Sequence, residues 1–197
     1  MSKIIAIMLL LCFGMMLFGC TNDNGGRKAG WQKTIIVTDS VGRKVELPYP
    51  LERVAVCNVY NAELITAVGA IDKIVGVDNY IFKDQSGFKN RFNEAQVFGI
   101  SQNAMNYEKL AELSPQAVII TGEGTWRDAQ EMLDRFGIKV IVINSYYTDQ
   151  FADNCRLIGR IFGREEQAEE LVNYFNDKLA YIQKQLQGVP RRSLYFE

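Results

Sequence analysis

The 197-residue chain contains no histidine. That absence removes His-based zinc sites and every Ser-His or Cys-His nucleophile pair. A carboxylate such as Asp39 or Glu123 beside Cys57 still lacks a base to activate the thiol, so the expectation is a protein that binds rather than an enzyme. An excess of one charge is missing too. Lys and Arg number 22 against 23 Asp and Glu, and the net charge of −1 gives no electrostatic case for nucleic acid. Cysteine and proline are scarce, at four each. A hydrophobic content of 48% with 11% aromatics is ordinary for a globular protein, and the length accommodates one domain, or one and part of a second.

The longest apolar run lies at the start. Lys3 is followed by an uncharged stretch to Gly19, then Cys20. A charged start, a short apolar core and a small residue before the break fit a secretory signal over residues 1–19. Leu17-Phe-Gly-Cys20 resembles a lipobox, which makes Cys20 the lipidated first residue of the mature protein. The alternative is an uncleaved anchor, for which the run is slightly short. Residues 20–33 read as a flexible tether. Either way the expected location is extracytoplasmic, held at a membrane. Cys12 leaves with the signal and Cys20 takes lipid, so only Cys57 and Cys155 remain. The compartment permits a disulfide between them but spacing does not establish one, and two buried thiols are the expectation.

The body alternates short apolar strands with helices. Thr34–Thr38 and Lys44–Leu47 flank Asp39-Ser-Val-Gly42, a hairpin closed by Pro48 and Pro50. Arg53–Cys57, Ile74–Val77, Ala117–Ile120 and Lys139–Ile143 read as buried strands, because their apolar runs do not alternate. Between and after them the pattern predicts helices at Ala62–Val68, around Phe88–Phe92, a short one over Glu108–Leu113 with Leu110 and Leu113 on its apolar edge, from Trp126 to about Phe136, and from after Tyr147 to about Phe162. Gly69 and Gly137 stop two of these, and Ser114-Pro115 stops a third. A long helix over residues 165–186 carries Ala168, Leu171, Val172, Phe175, Leu179 and Ile182 at helical spacing. Strand–helix alternation implies β-α crossovers and a parallel sheet, which binds ligands beyond the carboxyl ends of its strands.

Three blocks then carry a family resemblance. They are V-T-D-S-V-G-R-K-V-E-L-P from Val37, R-V-A-V followed by A-E-L-I-x-A-x-G-A-x-D-K-I-V-G-V to Val77, and N-x-E-K-L-A-x-L-x-P-x-x-V-I from Asn106. In this order and spacing they resemble the class III substrate-binding proteins of ABC importers, which carry ferric siderophores, haem, cobalamin and some oxyanions. The resemblance implies an α/β fold: a Rossmann-like N-terminal lobe over residues 34–163, an interlobe backbone helix over 164–187, and the first strand of a C-terminal lobe within 188–197. Family members are usually about half as long again, so the expectation is a fragment or a truncated product with the C-terminal lobe missing.

The candidate ligand-binding residues follow the strands. They are Asn58, Tyr60 and Asn61; Asp78, Asn79 and Tyr80; Ser101, Gln102 and Asn103 before the central helix; Gly122, Glu123 and Trp126; and Ser145, Tyr146 and Tyr147. Amides, hydroxyls and aromatic faces together suit a bulky polar ligand such as an iron chelate, haem or a corrinoid. Tyr60 and Tyr80 are also candidate axial ligands to haem iron. No excess of Arg or Lys lies in these loops, which argues against strongly anionic ferric chelates. By resemblance, Glu108 matches the first-lobe carboxylate that docks on an arginine of the permease, and the implied partners are that permease and its ATPase. No cofactor is expected. Competing readings are an oxyanion-binding member of the same family and a lipid-anchored single-lobe interaction module using the 165–186 helix. Gly122-Glu-Gly124 is a weak dinucleotide signal, because Arg127 stands at the third glycine position and Asn144 where an acid is wanted.

Overall fold

A computed structural model describes residues 33–190 and Ser193. The signal segment, Cys20, nearly all of the tether and the strand expected from Leu194 on lie outside the described residues. Six strands and six helices follow: β1 (Thr34–Thr38), β2 (Lys44–Pro48), β3 (Val54–Val56), α1 (Val59–Ala67), β4 (Ile74–Val77), α2 (Asn79–Lys83), α3 (Tyr107–Leu113), β5 (Ala117–Ile120), α4 (Trp126–Asp134), β6 (Lys139–Val142), α5 (Phe151–Phe162) and α6 (Glu165–Gln185). β1 and β2 form the antiparallel hairpin, with Ile36 opposite Glu46. The other four strands form a parallel sheet in the order β4-β3-β5-β6.

The uninterrupted apolar runs of the central strands follow from a sheet covered on both faces. Side chains alternate across a strand. Val54, Val56, Ile119 and Ile141 enter one core with Leu51, Ile65, Ile158, Phe162 and Val172. Ala55, Val118, Ile120, Val140 and Val142 enter the other with Phe98, Leu110, Ala129 and Leu133. Gly159 lets α5 and α6 meet closely, because a Cβ there would stand 2.5 Å from the Ala168 Cβ and 2.9 Å from the Arg164 carbonyl oxygen.

The hairpin is tied to the sheet by a buried carboxylate. One Asp39 oxygen accepts from the Val41 and Arg43 amides at 3.2 and 2.9 Å. The other accepts from Arg43 Nε at 3.0 Å, Arg43 Nη2 at 2.6 Å and the Val142 amide at 3.2 Å. Arg43 continues to the Val140 carbonyl and the Gln130 side chain, and its guanidinium lies 4.3 Å from the Trp126 ring centroid.

Two expected boundaries move for physical reasons. α1 begins at Val59 rather than Ala62, because the Asn58 side chain accepts from the Tyr60 amide and starts the helix early. The expected helix around Phe88–Phe92 is absent. The helical turn falls at α2 instead, where Asp78 caps Ile81. Asp84 then accepts from Gly87 and Ser86, closing a turn rather than extending the helix. Phe88 is buried and packs on Phe92, so this pair anchors a loop.

In α6 the first turns bury Ala168 and Val172, and Phe175 stacks on Phe151 with centroids 4.1 Å apart. Leu179, Ile182 and Leu186 further along are exposed. Among the described residues no helix is long and apolar enough to cross a membrane.

Candidate functional site

The carboxyl ends of β3, β4 and β5 open into a cleft of about 720 Å³. Each strand ends in a polar residue that turns the chain: Cys57-Asn58 after β3, Asp78 after β4, Thr121 after β5. Asn58 enters from the N-cap of α1, Val59, Tyr60 and Glu63 from its first two turns, Tyr80 from α2, and Ser101, Gln102 and Asn103 from the loop before α3. Thr121 and Glu123 close the far side. Tyr60 and Tyr80 are 55% and 63% exposed, so both rings are open to a ligand.

The floor is rigid because its polar groups are paired. Asp78, only 2% exposed, accepts from the Ile81 amide at 2.9 Å and the Asn58 amide at 3.1 Å. Burial pushes its carboxyl up, and the amides of Ile81, Asn58 and Tyr80 pull it back down. Cys57 is 1% exposed, and burial pushes its thiol well up, with the Asp78 charge adding to the effect. A thiol held protonated is no nucleophile. Gln102 braces the wall: its oxygen accepts from the Thr121 amide at 2.9 Å and hydroxyl at 2.8 Å, while its nitrogen donates to the Thr121 and Glu123 carbonyls. Tyr146 donates to Glu123 at 3.0 Å and packs on Tyr147 with centroids 4.3 Å apart. Burial, then hydrogen bonds with Tyr147 and Glu123, push its hydroxyl up.

The structure thus gathers Asn58, Tyr60, Tyr80, Ser101, Gln102, Asn103 and Glu123 around one cleft, with Asp78 beneath it. Tyr146 and Tyr147 stand outside the lining; Tyr146 reaches it through Glu123, and Tyr147 packs on Tyr146. Other candidates lie elsewhere. Asn61 is fully buried, donating to the Cys57 carbonyl at 3.2 Å and accepting from Ser145 at 2.6 Å, so both residues brace the strand ends. Trp126 is buried between the Arg43 and Arg127 guanidiniums. The Gly122 amide donates to Asn144 at 2.7 Å. Asn79 lines a separate, shallow groove with Lys83 and Lys109. Glu108 is exposed on the first turn of α3, away from the cleft. Sequence reasoning missed Glu63 and Thr121. Glu63 was findable, since it follows Tyr60 by three residues on the same helical face.

No curated protein sequence matches the chain. Among solved structures, a periplasmic solute-binding protein of Veillonella parvula is 26% identical with a TM-score of 0.65, over 81% of this chain and 50% of its own. The molybdate-binding protein MolA of Haemophilus influenzae is 22% identical with a TM-score of 0.69, over 79% and 55%. The petrobactin-binding protein YclQ of Bacillus subtilis is 17% identical with a TM-score of 0.67, over 82% and 56%. The chain therefore spans about half the length of the solved proteins it matches. The family described as "Periplasmic binding protein" matches residues 54–197, and the chain belongs to that family.

Proposed function

We propose that this chain is the ligand-capturing N-terminal lobe of an extracytoplasmic solute-binding lipoprotein. It serves an ABC importer, binding an iron chelate, haem or a corrinoid and presenting it to a membrane permease. The observation that carries the reading is the cleft at the strand ends. Two exposed tyrosine rings face it, amides and hydroxyls border it, and its floor is held rigid by Asp78 and Gln102. Such a surface suits a large polar ligand and performs no covalent step. Solved proteins of this fold named for petrobactin, haem and molybdate support the ligand range. The molybdate protein is the ground for keeping an oxyanion as the second reading.

A single lobe is half a cleft. The exposed Leu179 and Ile182 on α6, with Leu186 just past its end, are where the second lobe would pack. Glu108, exposed and beside the positive end of α3, would meet an arginine of the permease. One such contact is worth little and two set orientation.

The test is equilibrium dialysis of the protein extracted from its own cells, after its intact mass is measured. Ferric hydroxamate, haemin, cobalamin and molybdate are the probes. The expected result is saturable binding of one probe, weakened about fivefold or more by Tyr60→Ala or Tyr80→Ala. Binding that both substitutions leave unchanged would place the solute elsewhere and refute the cleft.

A further inference from the structure

The cleft carries a charge sign that narrows its ligand, an inference that rests on reading it as a solute site. Its formally charged lining residues are Glu63, Asp78 and Glu123, all acidic, and among the described residues no Lys or Arg lines it. Neither Glu63 nor Glu123 is engaged by a described cation.

The hydrogen bonding at the strand ends points the same way. Parallel sheets usually turn backbone amides and helix N-termini toward their ligand, which favours anions. Here five of those donors are already taken by side chains. The Ile81 and Asn58 amides go to the buried Asp78, the Tyr60 amide to the Asn58 side chain, and the Thr121 and Gly122 amides to Gln102 and Asn144. A buried carboxylate thus holds two amides that an oxyanion at the strand ends would use. Above it, the exposed Tyr60 and Tyr80 rings offer π faces, which attract cations.

We infer that this lobe selects a positively charged ligand, such as a metal chelate or corrinoid bearing a free ammonium or other cationic group. It discriminates against oxyanions and against carboxylate- or catecholate-rich chelates. Glu63 and Glu123 supply the attraction and repel anions, Tyr60 and Tyr80 supply the stacking, and Asp78 occupies the Ile81 and Asn58 amides.

The experiment is equilibrium dialysis of the full-length protein at low and raised salt with matched probes. Ferrioxamine B is a monocationic ferric trishydroxamate, and its N-acetyl derivative is neutral with the same iron centre. An iron tris-catecholate and molybdate are the anions. The cationic probe is expected to bind tighter than the neutral one, with the difference shrinking in salt. Glu63→Gln and Glu123→Gln are each expected to reduce that preference roughly two- to fivefold. Both side chains are exposed, and thermal unfolding checks that the variants fold.

Equal binding of the cationic and N-acetyl forms overturns the inference. So does tighter binding of either anion that Tyr60→Ala abolishes, and in both cases the solute-binding reading stands. No binding of any probe overturns both.

Discussion

Replacing Asp39 by Asn keeps the shape of the side chain and reverses half of its hydrogen bonding. In the parent, Asp39 Oδ2 faces three donors: Arg43 Nε, Arg43 Nη2 and the Val142 amide. If the Asn oxygen keeps the Val41 and Arg43 amides, its NH₂ group must point at those three donors. Removing one partner of a buried pair costs about 3–5 kcal/mol. The Arg43 side chain is 21% exposed, so water recovers part of that loss and the low end, about 3 kcal/mol, applies. For a chain of this size about 1 kcal/mol moves Tm by roughly 2–4 °C, so the expected fall is about 6–12 °C. The assay is thermal unfolding by circular dichroism, run as a double-mutant cycle with Arg43→Met. The double variant should be less destabilised than the sum of the singles by about 1 kcal/mol or more. An Asp39→Asn protein that melts within about 2 °C of the parent would refute the claim that this carboxylate pins the hairpin to β6.

Gly159→Ala is expected to lower Tm by roughly 3–10 °C, because its methyl overlaps Ala168 and a carbonyl oxygen that the α5–α6 crossing holds in place; calorimetry reads this. Gln102→Ala should weaken solute binding with little loss of Tm, since it frees the wall between Thr121 and Glu123, and titration alongside melting separates the two effects. Burial pushes the Cys155 thiol from 9.0 to about 11 and the Cys57 thiol well up, so stability is fully present below about pH 9 and is lost as pH rises toward 11. Urea midpoints that stay flat between those values would contradict it. Neither thiol should react with a chromogenic disulfide at pH 8 until the protein is unfolded, since both are buried and unbridged. Cys20→Ser should release the protein from the membrane fraction, with the loss of a diacylglyceryl mass from the native chain.

The parallel sheet was legible because its cause is local. Ala117-Val-Ile-Ile120 and Lys139-Val-Ile-Val142 are apolar at every step or nearly so, and only a strand covered on both faces requires that. The Asp78–Gln96 connection was less legible, because Phe88 and Phe92 read equally as a helical face or as a loop anchor. What separated the two was a pair of side-chain caps, at Asp78 and Asp84, whose geometry no spacing encodes. The candidate site divided in the same way. Tyr60 and Tyr80 follow strand ends and stand open to solvent, whereas Asn61 and Trp126 follow strand ends and turn inward.

By itself the sequence determined the order of elements, the hairpin, the four-stranded parallel sheet and the strand ends at which parallel sheets bind ligands. These follow from hydrophobic period, turn residues and the handed geometry of β-α crossovers, all properties of near neighbours in the chain. Only the tertiary structure decided which polar residues are already engaged. Asn61 meets Ser145 across 84 positions, Asp39 meets Val142 across 103, and Gln102 meets Thr121 across 19. A hydrogen bond between distant segments uses up a donor or acceptor that the sequence shows as available. The cleft's acidic lining, open tyrosine rings and remaining polar groups are what is left once those pairings are made.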